Sequence, residues 1–117
     1  MQFSVEYYEN EQKSCPVSDF LHELKASDPD DHAVVMAGLG KLKDRQNHRS
    51  PLTTPLGGGL FELRHVGKLN TRVLWFFFKG QRIVAVHGIR NKGQAIPPTD
   101  LKTAQDRMND WKKRNKS

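Results

Sequence analysis

Two arginines eight positions apart, Arg64 and Arg72, lie in neighbouring segments that alternate apolar and polar side chains across the short GKLN link (67–70). Segments joined that closely must pair antiparallel. In LFELRHV (60–66), Phe61, Leu63 and His65 point one way, and Leu60, Glu62, Arg64 and Val66 point the other. In TRVLWFFFK (71–79), Val73, Trp75 and Phe77 share a face, and Arg72, Leu74, Phe76 and Phe78 share the opposite one. Turning Phe61, Leu63, Val73, Trp75 and Phe77 inward brings Arg64 and Arg72 out together on adjacent strands. Two strand-borne guanidiniums beside an exposed aromatic such as Phe76 form a rigid anionic clamp with a stacking surface. That pairing suits a phosphodiester and its bases. The same spacing also lets Arg64 pair with Glu62 or Asp100 at the sheet rim.

The next segment, RIVAVHGIR (82–90), adds His87 and Arg90, and Lys92 follows where the chain leaves the sheet. Functional side chains commonly occupy such exits. Lys68, in the link between the first two segments, contributes a further cation to RNA binding, as does Arg90. His87 is the histidine that periodicity places near the arginines, and an imidazole can move a proton near neutral pH. A strand histidine is more often a hydrogen-bonded structural residue. RNA can be cut when its own 2′-hydroxyl attacks the adjacent phosphorus. An enzyme then has to align the attack, neutralise charge on the phosphoryl oxygens and manage two protons. No histidine, cysteine or carboxylate set shows metal-ligand spacing, and the GGG run (57–59) lacks the lysine and hydroxyl of a phosphate loop. Neither metal nor cofactor is expected.

The elements that must hold these residues read as α+β. FSVEYY (3–8) is strand-like; Val17, Phe20, Leu21 and Leu24 define a short helix with Ser18 as its expected cap. Asp28 and Pro29 open a second helix, running to about Gln46, whose buried stripe is Val35, Leu39 and Leu42. Residues 47–59, NHRSPLTTPLGGG, read as a loop. A last helix begins at Thr99 or Asp100 with Leu101, Ala104, Met108 and Trp111 on one face, and the basic end KKRNKS is expected to fray. The expected architecture is one domain over residues 1–117. It has a twisted antiparallel sheet, with an N-terminal helical hairpin and a C-terminal helix packed on one face and the other face open.

Charge divides along the chain. Residues 1–31 hold eight acids against two lysines, a balance of −6, whereas residues 32–117 hold 17 bases against five acids, a balance of +12. Basic charge gathered in the later part of a small domain is the footprint of a nucleic-acid binder. The single cysteine, Cys15, excludes an internal disulfide. With no secretory pattern at the N-terminus and no apolar run of membrane-spanning length, the expectation is a soluble cytoplasmic protein.

LGGGLFELR (56–64), TRVLWFF (71–77), IVAVHGIRNKGQAIPP (83–98) and DLKTAQDRM (100–108) together resemble the HigB-like, phage-related branch of the RelE/ParE toxins. The resemblance spans Pro55 to Arg114 at the level of motifs, and the whole chain by order of elements. It implies an antitoxin-controlled toxin, usually a ribosome-dependent endoribonuclease that stops translation. By position, Arg64 and Arg72 match the strand arginines near the scissile phosphate, and Lys92 matches the second member of a basic pair. The first member here is Asn91, preceded by Arg90, a departure from the pattern. His87 falls at the family's histidine-glycine position. The implied partners are the ribosome and mRNA, together with a helix-turn-helix antitoxin through which the pair binds its operator DNA; no membrane is implied. Two other readings share the fold: a ParE-like, non-enzymatic inhibitor of DNA gyrase, and a non-catalytic RNA-binding module.

Overall fold

The computed structural model describes residues 2–115. A first strand, β1 (Ser4–Tyr7), leads to α1 (Pro16–Ser27) and α2 (Pro29–Lys41), the expected helical hairpin. Pro16 occupies the first turn of α1 behind Cys15, so Ser18 lies inside the helix and caps nothing. Asp28 does cap α2: its carboxylate accepts the Asp31 N–H at 3.2 Å. That bond, with Arg90 close by, holds the Asp28 carboxyl below its ordinary pKa. The helix stops at Lys41, five residues before the expected end. There the Asn47 amide donates to Lys41 O at 3.0 Å and the His48 ring meets Leu42 O at 2.6 Å, so side chains satisfy the terminal carbonyls.

Four further strands follow: β2 (Thr53–Gly57), β3 (Leu60–Val66), β4 (Asn70–Phe78) and β5 (Arg82–Asn91); α3 (Pro98–Arg114) closes the chain. The sheet order is β1-β5-β4-β3-β2. Strands β2 to β5 are antiparallel, but β1 joins β5 in parallel, because the α1–α2 hairpin carries the chain over the sheet before it returns. The second strand falls inside the segment expected to be a loop. It is an edge strand, where Pro55 is tolerated, and Gly57, Gly58 and Gly59, all at positive φ, turn it tightly into β3. Lys112, Lys113 and Arg114, expected in a frayed end, are helical; Lys116 and Ser117 lie outside the described residues.

The α+β architecture is as expected, but the sheet is covered on both faces. Leu63, Val73, Trp75, Ile83 and Ala85 pack against Val17, Leu21 and Leu24 of α1 and Val35 and Leu39 of α2. Leu60, Leu74, Phe76, Val84 and Val86 pack against Ala104, Met108 and Trp111 of α3. The reason is plain in β4, whose two faces are both apolar and each need a cover. Fully burying one such side chain contributes roughly 1.5–3 kcal/mol, so leaving either face bare would forfeit several of these. No helix among the described residues is long and apolar enough to cross a membrane.

Candidate functional site

Strands β3 and β4 place Arg64 directly opposite Arg72 in the register, both on the α3 side of the sheet. Their depths differ. The Arg72 side chain is 1 % exposed, whereas that of Arg64 is 44 % exposed. Two like charges side by side on a sheet repel, and a carboxylate separates them. Glu62, itself buried, brings Oε2 to 3.2 Å from Arg72 Nε and Oε1 to 4.0 Å from Arg64 Nε.

The outer end of the Arg72 guanidinium reaches the segment after β5. Nη1 donates to Asn91 Oδ1 at 3.1 Å, and Nη2 donates to Gln94 O at 2.6 Å and Gly93 O at 3.5 Å. The Asn70 amide adds a bond to Gly93 O at 2.6 Å. Residues 91–94 are therefore pinned to β4, and Lys92, exposed, rides on that pinned segment. Beside it opens a cleft of about 230 Å³ lined by Leu56, Glu62, Gln94, Ile96 and Leu101. Glu62 thus faces both the buried arginine and the cleft. Nothing in local composition distinguishes Glu62 or Gln94; only the FELR spacing, which puts Glu62 on the arginine side, hinted at the first.

His87 also lies on the α3 side, with both ring nitrogens engaged. Nε2 is 2.7 Å from Asp100 Oδ1, and Nδ1 is 2.9 Å from Arg107 Nη1, which also donates to Val86 O. Because Arg107 can only donate, the network assigns Nδ1 as acceptor and places the ring proton on Nε2, toward Asp100. Burial lowers the Arg107 pKa from its ordinary value, yet an arginine stays protonated at neutral pH. This arrangement ties α3 to β5 and leaves no ring nitrogen for a substrate.

Two expected contributors lie elsewhere. Phe76 is 1 % exposed beneath α3, with Lys112 Nζ 5.5 Å from its ring centroid, so it fills core and offers no open stacking surface. Arg90 points to the α1–α2 side, where it meets Asp28 Oδ2 at 2.6 Å and Asp31 Oδ2 at 3.4 Å. Buried Asp31 also accepts Thr71 Oγ1 at 2.5 Å, and its other oxygen lies 3.4 Å from His65 Nε2. Lys68 is exposed in the β3–β4 turn, at a hollow shared with Asp28, Asp30 and Asp31. The structure thus pairs Arg64 with Arg72 and puts Lys92 on the segment that Arg72 holds, while His87 is engaged under α3, Phe76 is buried and Arg90 faces the α1–α2 side.

The sequence pattern of the phage-derived proteins described as Gp49-like (DUF891) matches residues 22–109, well over half of the chain. The matched span runs from α1 to the last turns of α3 and contains every residue of the site. No curated protein matches the chain.

Proposed function

The chain belongs to the phage-derived Gp49-like family, a family of RelE/HigB-type toxins, and from that premise we propose that it is a HigB-like toxin that cuts mRNA on the ribosome, in the cytoplasm. An antitoxin partner follows from the family; a helix-turn-helix antitoxin that carries the pair to operator DNA is part of the proposal.

The observation that carries the reading is the division of labour between the two paired arginines. Arg64, half in solvent, is free to approach a phosphate. Arg72, buried, holds Glu62 on one side and the Lys92 segment on the other. A phosphodiester laid at the mouth of the cleft meets Arg64 from the sheet and Lys92 from the pinned segment. When the 2′-hydroxyl attacks, the P–O2′ bond forms and the P–O5′ bond breaks, leaving a 2′,3′-cyclic phosphate and a 5′-hydroxyl. Arg64 stabilises the charge that grows on the non-bridging oxygens. Lys92 delivers the proton to the departing 5′-oxygen, and the proton of the 2′-hydroxyl passes to solvent or the RNA's own groups. His87, with both nitrogens engaged, holds α3 in place and moves no proton. Lys68 adds longer-range attraction for the RNA backbone. A proton-transfer set this sparse explains a need for the ribosome, which would supply the strained substrate geometry.

The test is translation in a reconstituted system with purified protein, with mRNA ends mapped by primer extension. New ends inside the translated region are expected with the wild type and lost with Arg64→Ala combined with Lys92→Ala. Both positions are exposed, so the double variant keeps its fold. Intact mRNA at high wild-type concentration overturns the proposal and directs attention to gyrase supercoiling.

A further inference from the structure

The cleft beside the arginine pair is assembled from four parts of the chain. Leu56 comes from β2, Glu62 from β3, Gln94 and Ile96 from the segment that leaves β5, and Leu101 from the first turn of α3. Leu56, Ile96 and Leu101 pack against the core under α3 and also line the cleft, so its walls are aliphatic. Its volume, about 230 Å³, is below the roughly 300–1,000 Å³ of a pocket for a drug-sized ligand. It suits one small ring system.

The polar groups of the cleft are few and held. Glu62 is the most buried of the lining residues. Its Oε2 is sealed from solvent against Arg72 Nε at 3.2 Å, which leaves Oε1 as the oxygen a ligand can reach. Among the described residues nothing donates a hydrogen bond to Oε1; Arg64 Nε stands at 4.0 Å. Arg72 also fixes the Gln94 carbonyl at 2.6 Å. The Gln94 side chain, exposed and with its amide unpaired among the described residues, therefore projects from a held backbone. A carboxylate repels phosphate, so a phosphodiester stays at Arg64 and the neutral part of a nucleotide enters the cleft. Apolar contact on the ring faces, with one or two polar groups at the ring edge, is how a splayed-out base is held. Adenine, cytosine and guanine each carry an exocyclic amine that projects toward an acceptor. The one N–H of uracil lies between two carbonyl oxygens, which would be pressed against the carboxylate.

We propose that this cleft is a base subsite that selects adenine, cytosine or guanine over uracil, with Glu62 Oε1 accepting from the exocyclic amine. The Gln94 amide, which can donate or accept, grips the ring atom beside that amine. The assignment rests on the reading above, because Arg64 supplies the adjoining phosphate site. Glu62 is then a specificity residue as well as the partner of Arg72.

The test titrates the 5′-monophosphates of adenosine, cytidine, guanosine and uridine into the full-length chain and follows backbone amides by NMR. The Gln94, Ile96 and Leu101 amides are expected to shift with the first three, and uridine monophosphate should bind about tenfold more weakly. In the translation system, mRNAs that differ in one base of a cleaved codon should show the same order, with uridine at that base cut about tenfold more slowly. Gln94→Leu leaves the backbone carbonyl on Arg72 and should weaken binding of the three amine-bearing nucleotides by roughly three- to tenfold. Glu62→Gln keeps an oxygen for Arg72 and offers a donor to a uracil carbonyl, so it should remove most of the preference against uridine. Should that variant not fold, Gln94→Leu still reads the cleft. Equal binding of all four nucleotides, or shifts confined to residues outside the cleft, overturns the proposal; cleavage that ignores the base would then leave the nuclease reading standing. Selective shifts with no cleavage by the wild type would refute the nuclease reading and leave the base subsite standing.

Discussion

Replacing Arg72 with methionine removes a cation from a place where little else can reach its partners. Glu62 then keeps a carboxylate buried at 6 % exposure, with its nearest remaining cation, Arg64 Nε, 4.0 Å away. Leaving one member of a buried ion pair alone costs about 3–5 kcal/mol. The lost bonds to Asn91 and Gln94 add little to this, because that segment is exposed and water replaces the donors. For a domain near this size, 1 kcal/mol moves the melting temperature by roughly 4 °C, so the melting point should fall by roughly 12–20 °C. Removing Glu62 as well, in Arg72→Met with Glu62→Leu, takes the stranded charge away. The double variant should recover most of the lost stability, since an apolar pair of similar volume commonly replaces a buried ion pair at little cost. mRNA cleavage should recover in neither variant, because in both the Lys92 segment has lost its anchor. Thermal and urea unfolding of the wild type, both single variants and the double variant close the cycle. A loss below about 1 kcal/mol for Arg72→Met, or a double variant no more stable than Arg72→Met alone, would refute the buried bridge and the reasoning built on it.

Other perturbations separate chemistry from scaffold. Arg64→Ala should change stability by no more than about 0.5 kcal/mol while lowering single-turnover cleavage on ribosomes by about 10²–10³-fold; equal cleavage would remove Arg64 from the site. A Cβ on Gly88 would run into the ring of Phe20, so Gly88→Ala should cost about 1–3 kcal/mol in urea unfolding, and Phe20→Leu should relieve it. Tyr8 donates to Asp110 Oδ2 at 2.6 Å, a bond to a charged acceptor, so Tyr8→Phe should lose about 1.5 kcal/mol before any discount for partial exposure. The Arg82 hydrogen bond holds the Glu6 carboxyl below its ordinary pKa of 4.5. A lowered carboxyl stabilises the fold above the unfolded value and loses that contribution as pH falls through the folded one. Arg82→Met should therefore flatten the pH dependence of the melting temperature below about pH 4.5, and an unchanged acid limb would contradict the pairing.

Much of the scaffold was legible because local chemistry and burial agree there. Asp28 and Pro29 open α2 as their capping preferences dictate, and alternation sets β3, β4 and β5 to within a residue and puts Arg64 and Arg72 on one side. β2 was not legible, because proline and three glycines signal a turn and only the presence of β3 makes TTPLG a strand. Leu74 and Phe76 announce the second covered face, yet a face that also carries Arg72 reads as open from alternation alone. Alternation gives the side of a sheet on which a residue lies, not its depth. Depth came from Glu62 and the carbonyls of residues 93 and 94, partners that no periodicity reveals. The pairing of Arg90 is hidden for a related reason: its carboxylates, Asp28 and Asp31, are some sixty positions away in the chain.

A single irregularity in β5 decides how the HGIR stretch (87–90) is used by the two faces. Leu74 pairs with His87 and Trp75 with Ala85, so Val86 is an extra residue, a bulge. Strict alternation from Ile83 and Ala85, both in the α1–α2 core, would send His87 into that core as well. Val86 keeps to the α3 side with Val84, and the bulge turns His87 to that side too, where it bonds Asp100 and Arg107. It also carries Gly88 back to the other face, where the absence of a side chain lets Phe20 approach, and leaves Ile89 beside Arg72 and Arg90 facing Asp28. One added residue thus fixes α3 over the sheet and splits the basic residues at the strand's end between the two faces. Deleting Val86 should therefore cost little more than the loss of one buried valine, since plain alternation from Ala85 then leaves His87 and Ile89 on the α3 side and Gly88 and Arg90 on the other. If urea unfolding shows the deletion variant losing far more than Val86→Ala, Val86 is not the extra residue that sets those faces.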